Sequence, residues 1–199
     1  MIPDTDDIRL DDRVILITGA GDGIGKAVAL ACAGRGATVI LLGRTVHKLE
    51  QVYDEIKNNG WPQAAIYPMN LEGATPADYD DLNINIDREF GRLDGLFHNA
   101  GWLGASTPMD IYDTELWYKV MQVNLNAPFL LTKACLPLLR KSSSARIVFT
   151  ADDKSSAYWG AYGVAKAGQL SLMRILADEL ESKNIPVNAV NPGPIRTRF

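Results

Sequence analysis

A glycine-rich loop, TGAGDGIG at residues 18–25, lies between a short β-branched run and an alanine-rich segment with helical periodicity. Glycines at such a junction let the backbone turn sharply and approach a pyrophosphate, and the N-terminus of the following helix stabilises the charge of that anion. A tight strand-to-helix turn without a ligand would use the same glycines. The position of the loop after the first strand of an alternating chain favours a dinucleotide site.

Strand-like and helix-like segments alternate along the rest of the chain. The apolar runs predict six strands, at residues 13–18, 38–42, 64–69, 93–98, 146–150 and 186–190. The intervening periodic segments predict six helices, at residues 23–35, 45–59, 76–90, 109–124, 126–141 and 157–183. Strands this apolar are buried on both faces, so the pattern predicts an α/β fold with a Rossmann-type doubly wound parallel sheet between two helical layers. We expect residues 1–199 to form a single domain.

Composition excludes several classes of function. The net charge is −4 and the basic residues are dispersed, which argues against nucleic acid and membrane surfaces as partners. Cys32 and Cys135 lie in apolar contexts typical of buried, reduced thiols, so we expect a cytoplasmic protein. With His47 and His98 as the sole histidines, and no cluster of Cys and His, we expect no metal site. The sequence shows neither a signal-peptide pattern nor an apolar run long enough to span a bilayer.

Four motifs in order along the chain carry a resemblance to a known family. They are the Gly-x-x-x-Gly-x-Gly loop with the preceding Thr18, Asn99-Ala100-Gly101 after strand four, Tyr162-x-x-x-Lys166, and Asn191-Pro192-Gly193. Together they make the chain resemble a classical short-chain dehydrogenase/reductase (SDR) from about residue 12 to Thr197. The segments LLGR and HNAG are most similar to a bacterial branch of NADP-dependent oxidoreductases whose substrates are not assigned.

The resemblance implies an activity and an assembly. The activity is hydride transfer between the nicotinamide of NAD(P)(H) and a small-molecule carbonyl or secondary alcohol. The assembly is a homodimer packed through the helices at 126–141 and 157–183. By the same resemblance, the family's substrate lid and seventh strand would follow residue 199 and are absent from this chain, so strand six is expected at the sheet edge.

The end of strand two distinguishes the two forms of the cofactor. An acidic residue there would bind the ribose hydroxyls of NAD, but this chain has Gly43 and then Arg44. A guanidinium pairs with a phosphate, which favours NADP(H) while leaving NAD(H) possible; a surface arginine at a strand end is the alternative. The resemblance implies these cofactor-binding residues: Gly19, Gly21, Asp22, Gly23, Ile24, Gly25, Arg44, Asn70, Leu71, Asn99, Ala100, Gly101, Tyr162, Lys166, Pro192, Gly193, Ile195 and Thr197.

The expected catalytic residues are Tyr162, Lys166, Asn124 and Asp152. Lys166 lies at i+4 from Tyr162, on the same helical face. Its ammonium would stabilise the phenolate and lower the pKa of Tyr162, as an acid/base at neutral pH requires. The resemblance implies that Asn124 interrupts a helix and holds a water linked to Lys166. Asn126 is the rival, and its alternative role is a helix N-cap.

The serine that the family places after strand five is missing. Anchoring on the strand puts Asp152 at that position, whereas counting back from Tyr162 reaches Phe149, so we expect a loop about three residues shorter than usual. An ionised Asp152 would repel oxyanion charge and raise the pKa of Tyr162, whereas a protonated one would donate a hydrogen bond. Either catalysis is impaired, or Thr150, Ser155, Ser156 or a protonated Asp152 replaces the serine.

Aromatic residues flank the expected site. Trp102 and Leu103 follow the Asn-Ala-Gly motif, and Tyr158 and Trp159 precede Tyr162. They either line an apolar substrate pocket or pack loops. A nucleotide-binding protein with weak or no turnover remains the alternative to the enzyme, because both would keep the cofactor site.

Overall fold

The computed structural model describes residues 8–195, so the cofactor-binding role expected of Thr197 lies outside the described residues. Six strands form one parallel sheet in the order β3-β2-β1-β4-β5-β6. The strands are β1 (Val14–Thr18), β2 (Thr38–Gly43), β3 (Ala65–Pro68), β4 (Gly95–His98), β5 (Arg146–Thr150) and β6 (Val187–Val190). The order reverses direction between β1 and β4, and ligands of open parallel sheets bind in the crevice outside such a point.

Six α-helices connect the strands. They are α1 (Gly23–Ala33), α2 (Val46–Asn58), α3 (Pro76–Phe90), α4 (Thr114–Met121), α5 (Ala127–Leu139) and α6 (Gly160–Glu181). The start of α3 illustrates the local chemistry, because Thr75 and Asp78 form a reciprocal capping box on either side of Pro76. The left-handed Gly91 then ends the helix.

Two apolar cores lie on opposite faces of the sheet. Helices α3, α5 and α6 bury Leu82, Leu131 and Leu176 in the larger core, and α1 and α2 bury Ala29 and Val52 in the smaller one. Both faces of the central strands are therefore buried, which confirms the predicted three-layer α/β fold. Within residues 8–195, no helix combines the length and apolarity that crossing a membrane requires.

The prediction of one continuous helix at 109–124 was wrong. Residues Met109–Ile111 form a 3₁₀ turn, α4 follows, and Gln122–Asn126 form a π-helical turn. The Asn124 side chain donates to the carbonyl oxygens of Val120 and Trp102, at 2.8 Å each. A side chain that bonds the backbone in this way competes with the regular helical ladder, and π-turns commonly mark functional positions.

Candidate active site

A cavity of about 540 Å³ opens at the carboxyl ends of the strands, beside the reversal between β1 and β4. Its volume is in the range of small-molecule and cofactor sites. The predicted site residues that line it are Gly19, Asp22, Gly23, Ile24, Arg44, Asn70, Leu71, Asn99, Ala100, Gly101, Asp152, Tyr162, Lys166, Pro192, Gly193 and Ile195. The fold thus brings together residues from every predicted motif. Gly21, Gly25 and Asn124 do not line the cavity.

The glycine loop is shaped by close backbone approaches. Gly19 has a left-handed backbone (φ +66°), and a Cβ there would lie 3.1 Å from the Cα atom of Ala100. A Cβ on Gly25 would overlap the carbonyl oxygen of Gly19, so Gly25 lets α1 approach the loop closely. At Gly21 a Cβ would lie 3.0 Å from the Cβ of Lys48. Gly21 and Gly25 therefore shape the loop without facing the cavity, and their predicted contact with a cofactor stays a prediction.

Thr18 and Asn99 join the loop to the end of β4. The Thr18 hydroxyl accepts from the backbone N–H groups of Asn99 and Ala100, at 2.9 and 3.0 Å. The Asn99 amide donates to the Thr18 carbonyl at 3.3 Å and accepts from the Thr150 hydroxyl at 3.3 Å. Three strand ends are fixed together in this way, which gives the cavity a rigid floor.

Two cations flank the point where β2 ends. Arg44 is exposed at the cavity rim. Lys48, one helical turn later, also lines the cavity, and its ammonium is 2.7 Å from the carboxylate of Asp22. Asp22 caps α1 by accepting from the N–H of Gly23. The sequence reasoning missed Lys48, although a second basic residue early in the helix that follows Arg44 was a usable signal.

Tyr162 and Lys166 project into the cavity from the first turns of α6, and both are buried. The Lys166 ammonium donates to the carbonyl oxygen of Thr150 at 2.8 Å and lies 5.9 Å from the centre of the Tyr162 ring. Burial lowers the pKa of Lys166 to about 8, while the charge of Asp152 opposes this shift. The predicted pair is therefore assembled, with a lysine that titrates near neutral pH.

The expected lowering of the Tyr162 pKa is not what the structure shows. Burial raises the pKa of Tyr162 well above its ordinary value, and the hydrogen bond to Asp152 and the charge of Asp152 raise it further. The Tyr162 hydroxyl donates to Asp152 at 2.9 Å. The phenol is consequently favoured in its protonated form, and Asp152, at the position where the resemblance implies a serine, contributes to this shift.

The Gln169 side chain connects the backbone of Asn124 to Lys166. The backbone carbonyl oxygen of Asn124 accepts from the Gln169 amide at 3.1 Å, and the oxygen of that amide accepts from the Lys166 ammonium at 3.1 Å. The family resemblance implies a water between Asn124 and Lys166, which stays a prediction; the Gln169 amide joins the same two residues. The rival residue, Asn126, is exposed and makes no capping bond. Sequence reasoning missed Gln169, although a glutamine seven residues after Tyr162 on a buried helical face was a signal.

The short segment between β5 and α6 supplies Asp152 to Tyr162. The hydroxyls of Thr150 and Ser155 donate elsewhere, to the side chains of Asn99 and Asp153. Of residues 150–156, Asp152 is the one whose side chain hydrogen-bonds Tyr162. Its second carboxylate oxygen lies 3.7 Å from the ammonium of Lys154. The serine position is thus occupied by a carboxylate.

The same segment is fixed against α6. A Cβ on Gly163 would overlap the carbonyl oxygen of Lys154, so the glycine allows the loop to lie directly on the helix. Tyr158 has a left-handed backbone (φ +72°), which explains why α6 begins at Gly160 and not at the predicted residue 157. Trp159 lines the cavity, as does Trp102, whereas the Tyr158 side chain is 59% exposed.

Comparison with known proteins agrees with the geometry. The sequence profile of the short chain dehydrogenase family matches residues 13–199. The uncharacterised oxidoreductase YciK of Escherichia coli is 44% identical over 191 residues, which cover 94% of this chain and 75% of YciK.

Two solved structures are also similar. A short chain dehydrogenase structure from Pseudomonas syringae has a TM-score of 0.93 and 50% identity, covering 95% of this chain and 80% of the other. A Shigella flexneri short chain dehydrogenase complexed with NADP has a TM-score of 0.91 and 44% identity, covering 95% and 80% of the two chains. The chain therefore belongs to the short-chain dehydrogenase family.

Proposed function

We propose that this protein is an NADP(H)-dependent oxidoreductase that moves a hydride between the nicotinamide and the carbon of a carbonyl or secondary alcohol, within one dinucleotide-binding domain. One observation carries the proposal: Tyr162 and Lys166 face the same cavity as the glycine loop. An acid/base pair and a pyrophosphate cradle at the two ends of one cavity are what such a reaction needs.

The residues present fit NADP(H). Close backbone packing at Gly19 and Gly25 leaves the N-terminus of α1 accessible to bind a pyrophosphate. Arg44 and Lys48 supply cations that would bind a 2′-phosphate. The NADP complex of the Shigella flexneri relative supports the same choice. When bound, the nicotinamide supplies or accepts the hydride.

The other steps belong to side chains of this chain. Tyr162 delivers a proton to the substrate oxygen during reduction and receives it during oxidation. Protonated Lys166 stabilises the phenolate that remains, and Gln169 with Asn124 holds the Lys166 ammonium in place. Because Asp152 favours the protonated phenol, it opposes the phenolate form of Tyr162 that oxidation needs as a base.

The alternative is a nucleotide-binding protein with weak or no turnover, and Asp152 is the observation that favours it. A carboxylate 2.9 Å from the catalytic hydroxyl opposes an oxyanion. Both functions predict NADPH binding, which the fluorescence of the bound nicotinamide measures. Only the enzyme predicts that NADPH oxidation with a panel of ketones and aldehydes is measurable and that Tyr162→Phe abolishes it. A protein that binds NADPH and leaves every carbonyl unreduced is the binding protein.

We also propose a homodimer formed through α5 and α6. Phe129 on α5 and Val164 and Ile175 on α6 are each about half exposed, which leaves apolar surface on both helices. Light scattering after size exclusion tests the assembly, and Ile175→Glu is expected to convert a dimer to a monomer. A monomeric wild type would overturn this proposal without affecting the activity.

A further inference from the structure

We propose that the pocket beside Tyr162 also binds a cationic carbon–nitrogen double bond, a protonated imine or iminium ion, and that the protein reduces it to an amine in preference to a ketone of the same shape. Asp152 is the counter-ion of the substrate nitrogen. The inference rests on the proposed function, because it uses the same cosubstrate and the same pocket.

The first support is the reversed polarity of the serine position. A hydroxyl there would donate to a substrate oxygen, whereas the Asp152 carboxylate accepts. Reduction of a ketone builds negative charge on oxygen, and an adjacent carboxylate destabilises that charge. Thr150 and Ser155 hydroxyls donate to Asn99 and Asp153 and do not offset the effect. The group that this corner suits carries an N–H donor and a positive charge.

The second support is a cation that already lies at this corner. The Lys154 ammonium lies 3.7 Å from a carboxylate oxygen of Asp152 and 5.0 Å from the centre of the Trp159 ring. A carboxylate and an aromatic face together attract an ammonium or iminium group. The Lys154 side chain is 35% exposed on a flexible stem, so it can move into solvent when a ligand cation takes its position.

The surrounding charges are consistent with this assignment. The other Asp152 oxygen accepts from the Tyr162 hydroxyl, which leaves the oxygen facing Lys154 to the incoming nitrogen. Lys166 is directed to the Thr150 carbonyl and to Gln169. Asp153 accepts from Ser155. The cation corner is therefore defined by Asp152, Trp159 and the displaceable Lys154.

The chemistry balances without an oxyanion. The iminium carbon gains a hydride, both electrons of which come from the reduced nicotinamide cosubstrate, which leaves oxidised. The π pair of the C=N bond moves onto nitrogen, so the positive charge disappears and a neutral amine forms. The amine then takes a proton from solvent and leaves as ammonium, whereas a neutral imine must first be protonated on nitrogen. Because no negative oxygen develops, the absent serine costs this reaction nothing.

The test compares a cyclic imine with a ketone of the same ring skeleton. Dihydroisoquinoline and tetralone share a bicyclic skeleton and are offered with NADPH at neutral pH. In parallel, calorimetry measures the binding of the ammonium tetrahydroisoquinoline and of the neutral tetralol to the protein alone. We expect the ammonium to bind about tenfold tighter than tetralol, and the imine to be reduced with the higher kcat/KM.

Two variants assign the effect. Asp152→Asn keeps the shape and removes the charge, so we expect the preference for the ammonium to disappear and the binding of tetralol to stay within about twofold. Lys154→Met removes the competing ammonium while leaving Asp152 and Trp159, so we expect the cationic probe to bind tighter than in the wild type. Weaker binding to Lys154→Met would show that Lys154 itself is required, which overturns the inference.

The outcomes separate this inference from the proposed function. If NADPH binds and tetralone is reduced while the imine and the ammonium show no preference, the inference is wrong and the proposed function stands. If NADPH does not bind, the proposed function fails, yet the calorimetric preference and its loss in Asp152→Asn still decide whether the cation corner exists.

Discussion

The hydroxyl of Tyr162 donates to the carboxylate of Asp152 at 2.9 Å, so the proposed acid/base and the residue at the expected serine position form one hydrogen-bonded pair. A serine at that position would leave the phenol to be tuned by the lysine alone. Here the carboxylate stabilises the protonated phenol, so this contact moves the formation of the phenolate to higher pH.

Asp152→Asn should shift the pH profile of alcohol oxidation toward lower pH. Oxidation needs the Tyr162 phenolate. Burial is the largest cause that raises the pKa of Tyr162, and the two further causes, a hydrogen bond and a charge, both come from Asp152. Removing the charge lowers this pKa, so the phenolate forms earlier as the pH rises. The pH dependence of kcat with NADP⁺ and a secondary alcohol measures the shift. Asp153→Asn is the matched control, because the neighbouring Asp153 accepts from Ser155 and its substitution should leave the profile unchanged. An unchanged pH profile in Asp152→Asn would contradict the coupling between Asp152 and Tyr162.

Reduction should decline as the pH rises through about 8, because Lys166, whose pKa burial lowers to about 8, then loses its charge. The cation stabilises the phenolate that Tyr162 becomes after it has given up its proton, so its loss raises the barrier. The measurement is kcat for reduction across neutral and alkaline pH. Lys166→Arg keeps a cation at every pH tested, so the alkaline decline of kcat should vanish even though kcat itself falls. If Lys166→Arg shows a decline with the same midpoint, a group other than Lys166 causes the decline.

Much of this architecture could be predicted from the sequence, for physical reasons. Strands such as β1 and β2 are apolar on both faces, which dictates a parallel sheet covered by helices. The glycine loop, Tyr162 and Lys166 were predictable because local spacing fixes their geometry. Membership of the short-chain dehydrogenase family could likewise be predicted from the order of the four motifs along the chain.

The remaining features depend on contacts between distant residues. Gln169 bridges Lys166 to a backbone carbonyl 45 positions earlier in the chain; its place on the buried face of α6 is a local signal, but the identity of this partner is not. The π-turn at Asn124 arises because its side chain bonds Trp102, in a loop that the fold brings close. The pKa of Tyr162 depends on how a short loop folds, so the contact between Asp152 and the Tyr162 hydroxyl could not be read from the sequence.

Gln169→Leu should lower kcat about tenfold while changing the Kd of NADPH little. The substitution removes an acceptor from the Lys166 ammonium and leaves the Asn124 carbonyl without its donor, a loss of about 1–3 kcal/mol for a buried polar group. Gln169→Glu is the discriminating variant, because a carboxylate beside Lys166 raises the lysine pKa and should move the alkaline decline to higher pH. A merely structural role would leave that midpoint unmoved.

Arg44→Met should weaken NADPH binding about tenfold to a hundredfold and leave NADH binding nearly unchanged. The guanidinium at the cavity rim is expected to pair with the 2′-phosphate, and a charge-assisted bond contributes about 1.5–3 kcal/mol. Fluorescence titration with both cofactors measures the two Kd values. Arg44→Lys should retain part of the preference, and an equal loss for NADPH and NADH would show that Arg44 does not read the phosphate.

Gly163→Ala should impair activity by displacing the loop that carries Asp152. A Cβ at this position would overlap the carbonyl oxygen of Lys154, so either the loop or α6 must shift, and overpacking of this kind costs about 1–3 kcal/mol. Thermal unfolding measures the stability, and the pH profile of alcohol oxidation reports whether Asp152 still reaches Tyr162. Gly73→Ala is the matched control, because a Cβ there meets nothing within 4 Å. If the Gly163 variant unfolds like the control and keeps the wild-type profile, the loop does not depend on contact with α6. A loosened loop should instead release Tyr162 from Asp152, and the profile should then move in the same direction as in Asp152→Asn.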